Sequence, residues 1–255
     1  MAIRLFIMCL TIMTLSHPIH GQTISANKEA ATPPLIKLSY LNYINSPTFS
    51  EPSGGSINHY LTIKRELNPD WSIAMVVRSD SNIDNGNDPH TWGNHYLKLM
   101  PPSAYDNGDL SITPQLRFYF PGSSSAQEKN IDFIFVPRTY FSSTIGKVDL
   151  TYLLIPSFYS YSVSKADQTV ASHQHCLNSS YQLLSDFTID FMACPGWTHK
   201  RNNNKPKYNE LPIYPGVTKS FDNAKVSISA YAEVYAAKPQ RKTSIFVTSL
   251  SYKIL

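Results

Sequence analysis

Apolar and polar residues alternate along most of the chain, which is the period of a β-strand. The clearest example covers residues 110–120, where apolar side chains occupy every second position and polar ones lie between them. The pattern recurs about twelve times and predicts an all-β protein. The predicted strands span residues 35–46, 57–67, 71–80, 92–105, 110–120, two halves of 130–161, 173–184, 187–199, 208–221, 225–237 and 243–255.

The central predicted hairpin covers residues 130–161, where two amphipathic halves flank a short polar turn. A reversal between Thr144 and Ile145 would place Phe135 opposite Leu154, so that apolar side chains face each other across the pair. The dipeptide Asn107-Gly108 marks a second hairpin. Folding at this dipeptide places Leu99 opposite Leu116. Turns near residues 185 and 222 place Tyr181 opposite Ile189 and Val217 opposite Ile228.

The connections between these strands alternate in length. Short turns are predicted near residues 68, 107, 145, 185 and 222, whereas longer polar connections lie near 50, 85, 125, 168, 204 and 239. A sandwich with Greek-key crossings would not sort its loops in this way. An up-and-down barrel does, with short periplasmic turns and long external loops, so the pattern predicts a closed, antiparallel transmembrane β-barrel.

Five prolines lie inside predicted strands, on the apolar side. Because proline cannot donate to the hydrogen-bond ladder, it is ordinarily confined to edges and bulges. The sequence therefore predicts bulges in the wall at these positions, which are Pro114, Pro137, Pro156, Pro195 and Pro215.

The first 26 residues differ from the rest of the chain. A short basic start at residues 1–4 precedes an apolar stretch at 5–15, and small residues follow at Gly21, Ser25 and Ala26. This order is typical of a secretory signal peptide, with cleavage near Gly21 or Ala26. The mature chain, residues 27–255, is then one domain.

Charge and composition exclude some functions. The formal net charge is only +4, and the lysines and arginines are scattered, which gives no basis for nucleic-acid binding. No apolar run approaches the ~18 residues that a membrane helix needs.

With its signal peptide, amphipathic strands, alternating loops and C-terminal strand, the chain resembles a Gram-negative outer-membrane β-barrel protein of the porin-like kind, without resembling one particular family. The resemblance implies a location in the outer membrane, contact with lipid and lipopolysaccharide, and insertion by the barrel assembly machinery. It implies passage of small solutes and no cofactor. The oligomeric state remains open.

In such a barrel the polar side of each strand lines the lumen, where charged side chains set solute selectivity. Arg117 and Arg138 lie near the middle of consecutive strands and could attract anionic solutes. Alternatively, arginines and aspartates neutralise one another and fill the interior. The predicted lumen residues are Arg78, Arg117, Arg138, Lys64, Asp132, Asp149, Glu66, Glu233, Tyr119 and Tyr140.

Two cysteines remain after cleavage of the signal peptide. A turn centred on Ser185 places Cys176 directly opposite Cys194, on the lumen side. Because the periplasm is oxidising, a disulfide is predicted rather than two free thiols.

The channel hypothesis has two alternatives, a barrel enzyme acting on lipid or lipopolysaccharide and a closed structural or adhesive barrel. A lipid-cleaving barrel needs a serine and a histidine together on its lipid side. Ser179 and His199 lie far apart along neighbouring predicted strands, and the histidines form no metal set. The sequence therefore predicts a passive channel for small hydrophilic solutes, with anions as a possible preference, and no catalytic or metal-binding residues.

Overall fold

The computed structural model describes residues 36–46, 55–68, 70–82, 90–203, 205–209, 211–221, 226–235 and 245–253. The predicted signal peptide lies outside these residues, as does the predicted turn near residue 222.

Almost all of the described chain is β-structure, as the alternation predicts. The strands are β1 (Ile36–Ser46), β2 (Ser56–Glu66), β3 (Ser72–Asn82), β4 (His90–Trp92), β5 (His95–Met100), β6 (Tyr105–Asp106), β7 (Leu110–Phe120), β8 (Ile131–Ile145), β9 (Val148–Tyr161), β10 (Thr169–Leu184), β11 (Phe187–Ala193), β12 (Gly196–Lys200), β13 (Lys207–Tyr208), β14 (Pro212–Phe221), β15 (Val226–Tyr235) and β16 (Ile245–Lys253). One helix, α1 (Ser124–Glu128), lies between β7 and β8, and the Ser123 hydroxyl caps it by accepting from the Ala126 amide.

All strand pairs are antiparallel, and the pairings follow the chain. The order runs β1, β2, β3, β5, β7, β8, β9, β10, β11, β14, β15, β16, and β16 pairs in turn with β1. The remaining four strands are short pieces that pair with β3, β7, β10 and β12. The sixteen strands therefore occupy twelve passes of the chain, and the predicted up-and-down barrel of about twelve strands is confirmed.

Three predicted strands are divided in the structure. The predicted strand 92–105 consists of β4, β5 and β6, which are separated at Gly93-Asn94 and at Pro101-Pro102. The predicted strand 187–199 breaks at Cys194-Pro195 into β11 and β12, and the strand 208–221 is divided into β13 and β14.

The two faces of the wall differ as the alternation predicts. Small residues such as Ala74 and Val76, which are 0% and 1% exposed, lie on the inner face beside long polar side chains. Large apolar side chains project from the outer face and are exposed. Among them are Ile44, Leu110, Phe118, Phe133, Phe158, Leu177, Ile189, Phe191, Val217 and Ile228.

Two of the predicted registers are correct and two are wrong. Leu99 lies opposite Leu116 and Tyr181 opposite Ile189, as expected. In the central hairpin, however, Phe135 lies opposite Phe158, because the turn is at Gly146-Lys147. Gly146 adopts a φ of 62°, a left-handed conformation that favours glycine. The displacement is by an even number of residues, so each side chain stays on its predicted face.

The register between β14 and β15 is displaced by two residues from the predicted one. Val217 lies opposite Ala230 rather than Ile228, which instead lies opposite Lys219. An even displacement again leaves the faces unchanged.

The prolines do not coincide with bulges. The described register irregularities lie elsewhere, on β8 near Ile131 and on β10 near residues 169–171 and 182–184. Pro114 lies within a continuous register with β8, and of the five only Pro195 lies at a strand break. At Pro137, Pro156 and Pro215 the pairing is interrupted on one side only, and the register resumes unchanged. This follows because a residue in an antiparallel strand donates its N–H to one neighbour, so the pairing on its other side is unaffected.

The long and short connections lie at opposite ends of the strands. Short turns join β2 to β3, β8 to β9 and β10 to β11, whereas residues 121–130, 162–168 and 201–206 connect strands at the other end. We call these the short-turn end and the long-loop end. No described helix is long and apolar enough to cross a membrane.

Candidate functional site

The inner face carries a row of cations across neighbouring strands. Lys64 of β2 lies opposite Ala74 of β3, which also lies opposite Lys98 of β5. Lys98 lies opposite Arg117 of β7, and Arg138 of β8 is diagonally across from Arg117. Because the Ala74 side chain is small, it leaves space on the inner face for the side chains of Lys64 and Lys98 on either side. We call Lys64, Lys98, Arg117 and Arg138 the cationic row.

Arg117 is held by neutral groups. Its Nε donates to Gln115 Oε1 at 2.5 Å, and its terminal nitrogens donate to the hydroxyls of Tyr119 at 3.3 Å and Tyr140 at 3.4 Å. The guanidinium also lies over the ring of Tyr96, with its carbon 5.1 Å from the ring centroid. These contacts fix the direction of the guanidinium without cancelling its charge.

Arg138 shares one of these partners. A terminal nitrogen of Arg138 donates to the hydroxyl of Tyr119 at 3.3 Å. Its Nε is buried and has no hydrogen-bond partner among the described residues. The two guanidinium groups therefore meet at one tyrosine, whose hydroxyl accepts a hydrogen bond from each.

Within the described part of the chain, no carboxylate lies within 4 Å of the cationic row. The ion pairs found there join Lys37 to Glu66, Arg78 to Asp80 and Lys219 to Asp186. Arg78 Nε donates to Asp80 Oδ1 at 2.8 Å, so mutual neutralisation of arginine and aspartate applies to this pair. No described carboxylate therefore compensates the charge of the cationic row.

An acidic, hydroxyl-rich region lies on β10, β11 and β14. Asp190 accepts hydrogen bonds from Ser180 and Thr218, both at 2.6 Å, and from Thr188 at 3.3 Å. It borders a cavity of about 390 Å³. The cavity is lined by Tyr43, Asn178, Ser179, Ser180, Asp190, Phe191, Met192, Tyr214 and Tyr231.

The structure brings together some of the predicted lumen residues and separates others. Arg117, Arg138, Tyr119 and Tyr140 form one hydrogen-bonded group.

The predicted acidic residues do not join this group. Asp149 lies at the short-turn end, where it accepts a hydrogen bond of 2.7 Å from Thr144. Glu66 pairs with Lys37 at the end of β2, and Asp132 is exposed at the start of β8. Glu233 occupies a position on β15, but its side chain is not among those described.

The predicted set omits Lys98, a member of the cationic row. The alternation of residues 95–100 gives its face, because Tyr96, Lys98 and Met100 share one side of the strand and Leu97 and Leu99 the other. Breaks on both sides of β5 interrupt this pattern and obscure it in the sequence.

Cys176 and Cys194 form the predicted disulfide, which links β10 to the segment between β11 and β12. Both are buried on the inner face and pack with Val136, Leu153 and Ile155. The lumen wall beside Arg138 therefore includes an apolar patch that the alternation of polar and apolar residues does not predict.

The described residues contain no group of three or more histidine, cysteine, aspartate or glutamate side chains that could hold a metal ion. Ser179 and His199 are separated as expected, because Ser179 lies opposite Phe191 and His199 lies opposite Ala171.

No protein-family model and no curated protein matches the chain in sequence. Solved structures match it in fold. The structure described as KdgM porin has a TM-score of 0.54 and 10% identity, with 86% of this chain and 99% of that chain covered. The COG4313 outer membrane channel from Pseudomonas putida F1 has a TM-score of 0.53 and 9% identity, with 91% and 100% covered. The chain therefore has the fold of porin-like outer-membrane β-barrels.

Proposed function

We propose that this protein is a passive channel in the bacterial outer membrane and that it admits small hydrophilic solutes with a preference for anions. The cationic row carries the proposal. Four cations share the inner face of neighbouring strands, and no described carboxylate lies within 4 Å of them. An anion in the lumen would meet charge that the protein itself leaves uncompensated.

The outer face supports the membrane location. Apolar side chains cover its middle, and stacked rings such as Phe118 on Phe135, with centroids 4.9 Å apart, would meet acyl chains there. We assign lipid and lipopolysaccharide as the surroundings of this face. In this proposal, residues 1–26 direct export and the barrel assembly machinery inserts the chain.

We assign selectivity to Arg117, Arg138, Lys64 and Lys98, with Tyr119 and Tyr140 as the residues that orient the guanidinium groups. Arg78 contributes less, since Asp80 compensates its charge at 2.8 Å. Asp190 lines a separate cavity, where it offers an acceptor to hydroxyl or ammonium groups of a passing solute.

The experiment is conductance in planar bilayers under a KCl gradient. We expect the wild-type protein to conduct and to have a reversal potential that favours chloride. Arg117→Gln should lower the chloride-to-potassium permeability ratio by up to about fivefold, the factor for the loss of about 1 kcal/mol of ion attraction.

A matched pair on β2 provides the control. Lys64→Gln removes a charge from the inner face, whereas Arg65→Gln removes the same charge from the outer face one residue away. Only the first should change the reversal potential. Inserted protein that never conducts would refute the channel, and a cation-selective wild type would refute the anion preference alone.

A further inference from the structure

A chain of hydrogen-bonded polar side chains crosses the outer face of β1, β2 and β3. Asn42 lies directly opposite His59. His59 lies opposite Ser79, and Ser81 follows on the same face of β3. The neighbouring inward residues, Arg78 and Asp80, form their ion pair on the other side of the wall.

The distances in this chain are those of a nucleophile, a base and a group that orients the base. His59 Nε2 lies 3.2 Å from Ser81 Oγ, and His59 Nδ1 lies 2.8 Å from Asn42 Oδ1. The hydroxyl of Tyr40 lies 2.7 Å from the same Nδ1. A carbonyl oxygen only accepts, so Asn42 favours the tautomer with the proton on Nδ1. His59 Nε2 is then free to accept the proton of Ser81.

A second imidazole reaches the same hydroxyl. His90, the residue opposite Ser81 on β4, has its Nδ1 3.1 Å from Ser81 Oγ. Because the Ser81 proton is directed to His59, His90 acts as a donor to the oxygen. A donor at this point could also stabilise negative charge that develops on a substrate oxygen.

The position of Ser81 suits an ester held at the edge of a membrane. It lies near the long-loop end of β3, beside Trp92, which is 57% exposed, and aromatic side chains in barrels mark the level of the lipid headgroups. Ile57 lies opposite Ser81 on β2, and Ile44 lies opposite Ile57. An acyl chain could follow this apolar surface while its ester reaches the hydroxyl.

We propose that Asn42, His59 and Ser81 form a catalytic triad that hydrolyses carboxylic esters of membrane lipids. This activity is additional to the proposed channel and uses the opposite face of the wall. Ser81 is the nucleophile, His59 the general base and acid, and Asn42 a positioning residue that acts through His59.

The reaction has two steps. Ser81 Oγ attacks the ester carbonyl carbon while His59 Nε2 takes the serine proton, and the alcohol leaves with that proton as the C–O bond breaks. The acyl group is then bound to Ser81. A water molecule next gives a proton to His59 and attacks the acyl carbon, after which Ser81 leaves and recovers the proton. The products are a fatty acid and a lysolipid, and nothing is oxidised or reduced.

A second histidine cluster on the outer face serves as an internal comparison. On β10 and β12, His199 Nε2 lies 3.4 Å from His173 Nδ1, and Trp197 stacks on His173. Among the described residues, no serine hydroxyl bonds to these two histidines. The cluster has the imidazoles and the aromatic ring but lacks the nucleophile.

The test uses the detergent-solubilised, folded full chain. A fluorophosphonate probe should label Ser81, as located by peptide mass spectrometry, and the protein should release fatty acid from phosphatidylcholine in mixed micelles. Ser81→Ala and His59→Gln should each lower the hydrolysis rate by about a thousandfold or more. Asn42→Ala should lower kcat and leave KM unchanged, and Asn42→Asp should restore kcat, a pattern that a merely structural role would not give.

Matched variants complete the test. Ser79→Ala removes a serine on the same face of β3 whose hydroxyl makes no hydrogen bond to the described residues, and His199→Gln alters the second cluster. Both should keep full hydrolysis and labelling. The proposal is overturned if the folded wild type neither labels nor hydrolyses, or if Ser81→Ala retains the rate. Bilayer conductance does not enter this test, so either function can fail alone.

Discussion

The inner and outer faces of strands β1 to β8 differ in chemistry although their residues alternate along the same backbone. Lys64 points inward with the cationic row, and His59, five residues earlier on β2, points outward with Asn42 and Ser81. On the inner face, charge lies without a described carboxylate beside it. On the outer face, polar side chains bond to one another at the long-loop end and apolar side chains cover the middle.

This comparison shows what each face requires of its polar groups. Solutes and water can compensate an unpaired cation in a lumen, whereas a polar side chain next to lipid must find partners in the protein. The Asn42–His59–Ser81 chain meets this requirement, and each member is within 3.2 Å of the next.

The largest expected effect comes from placing a charge on the wrong face at the middle of a strand. Leu61, the sixth of eleven residues in β2, points outward, and its neighbour Thr62 points inward. Leu61→Lys should lower the free energy of unfolding by about 2 to 4 kcal/mol, the cost of a lysine on the lipid face at the bilayer midplane. Urea unfolding from phospholipid vesicles measures it.

The matched substitution is Thr62→Lys, which adds the same charge beside the cationic row. It should change the stability much less, because the side chain can reach the lumen. If the two variants lose the same free energy of unfolding, the outer face is not in contact with lipid, and the membrane location is wrong.

The face of each residue could be predicted from the sequence because it depends only on a period of two. Phe135, Val217 and their neighbours lie on the predicted faces even where the predicted pairing is wrong, since the displacements are even. The registers themselves depend on turn geometry. The glycine at position 146, rather than the preceding serine and threonine residues, determines the central turn.

Contacts across long connections could not be predicted. Asn42 and His59 are joined through residues 47–55, a long connection whose length does not define a register. Ser81 and His90 are likewise separated by a long connection. The triad therefore becomes visible only in three dimensions. Arg117 and Arg138 are also joined through a long connection, residues 121–130, so the sequence gives their mid-strand positions and common face but not their shared contact with Tyr119.

A smaller effect is expected from the covalent link on the inner face. Cys176 and Cys194 are 18 residues apart and join segments that backbone hydrogen bonds already align. Replacing both with serine should lower the free energy of unfolding by about 1 to 2 kcal/mol, below the loop-entropy value of about 3 kcal/mol for a loop of this size. Reduction of the wild type should lower the free energy of unfolding by the same amount in urea. If neither change lowers it, the backbone pairing alone holds these two segments together.

The smallest effect is expected at the short-turn end, where Asp186 lies in the turn between β10 and β11 and pairs with the outward Lys219. A hydrogen bond from the Lys219 ammonium holds the pKa of Asp186 below its ordinary value, although partial desolvation opposes the shift. Since the folded-state pKa is depressed, the pair contributes stability above the ordinary aspartate pKa of about 3.9, and the contribution is lost as the pH falls through the lowered value. Asp186→Asn should therefore be slightly less stable than the wild type at pH 7, and the two should converge in acid. A difference that stays constant from neutral pH to about pH 2 would assign the effect to the turn geometry instead of the ion pair.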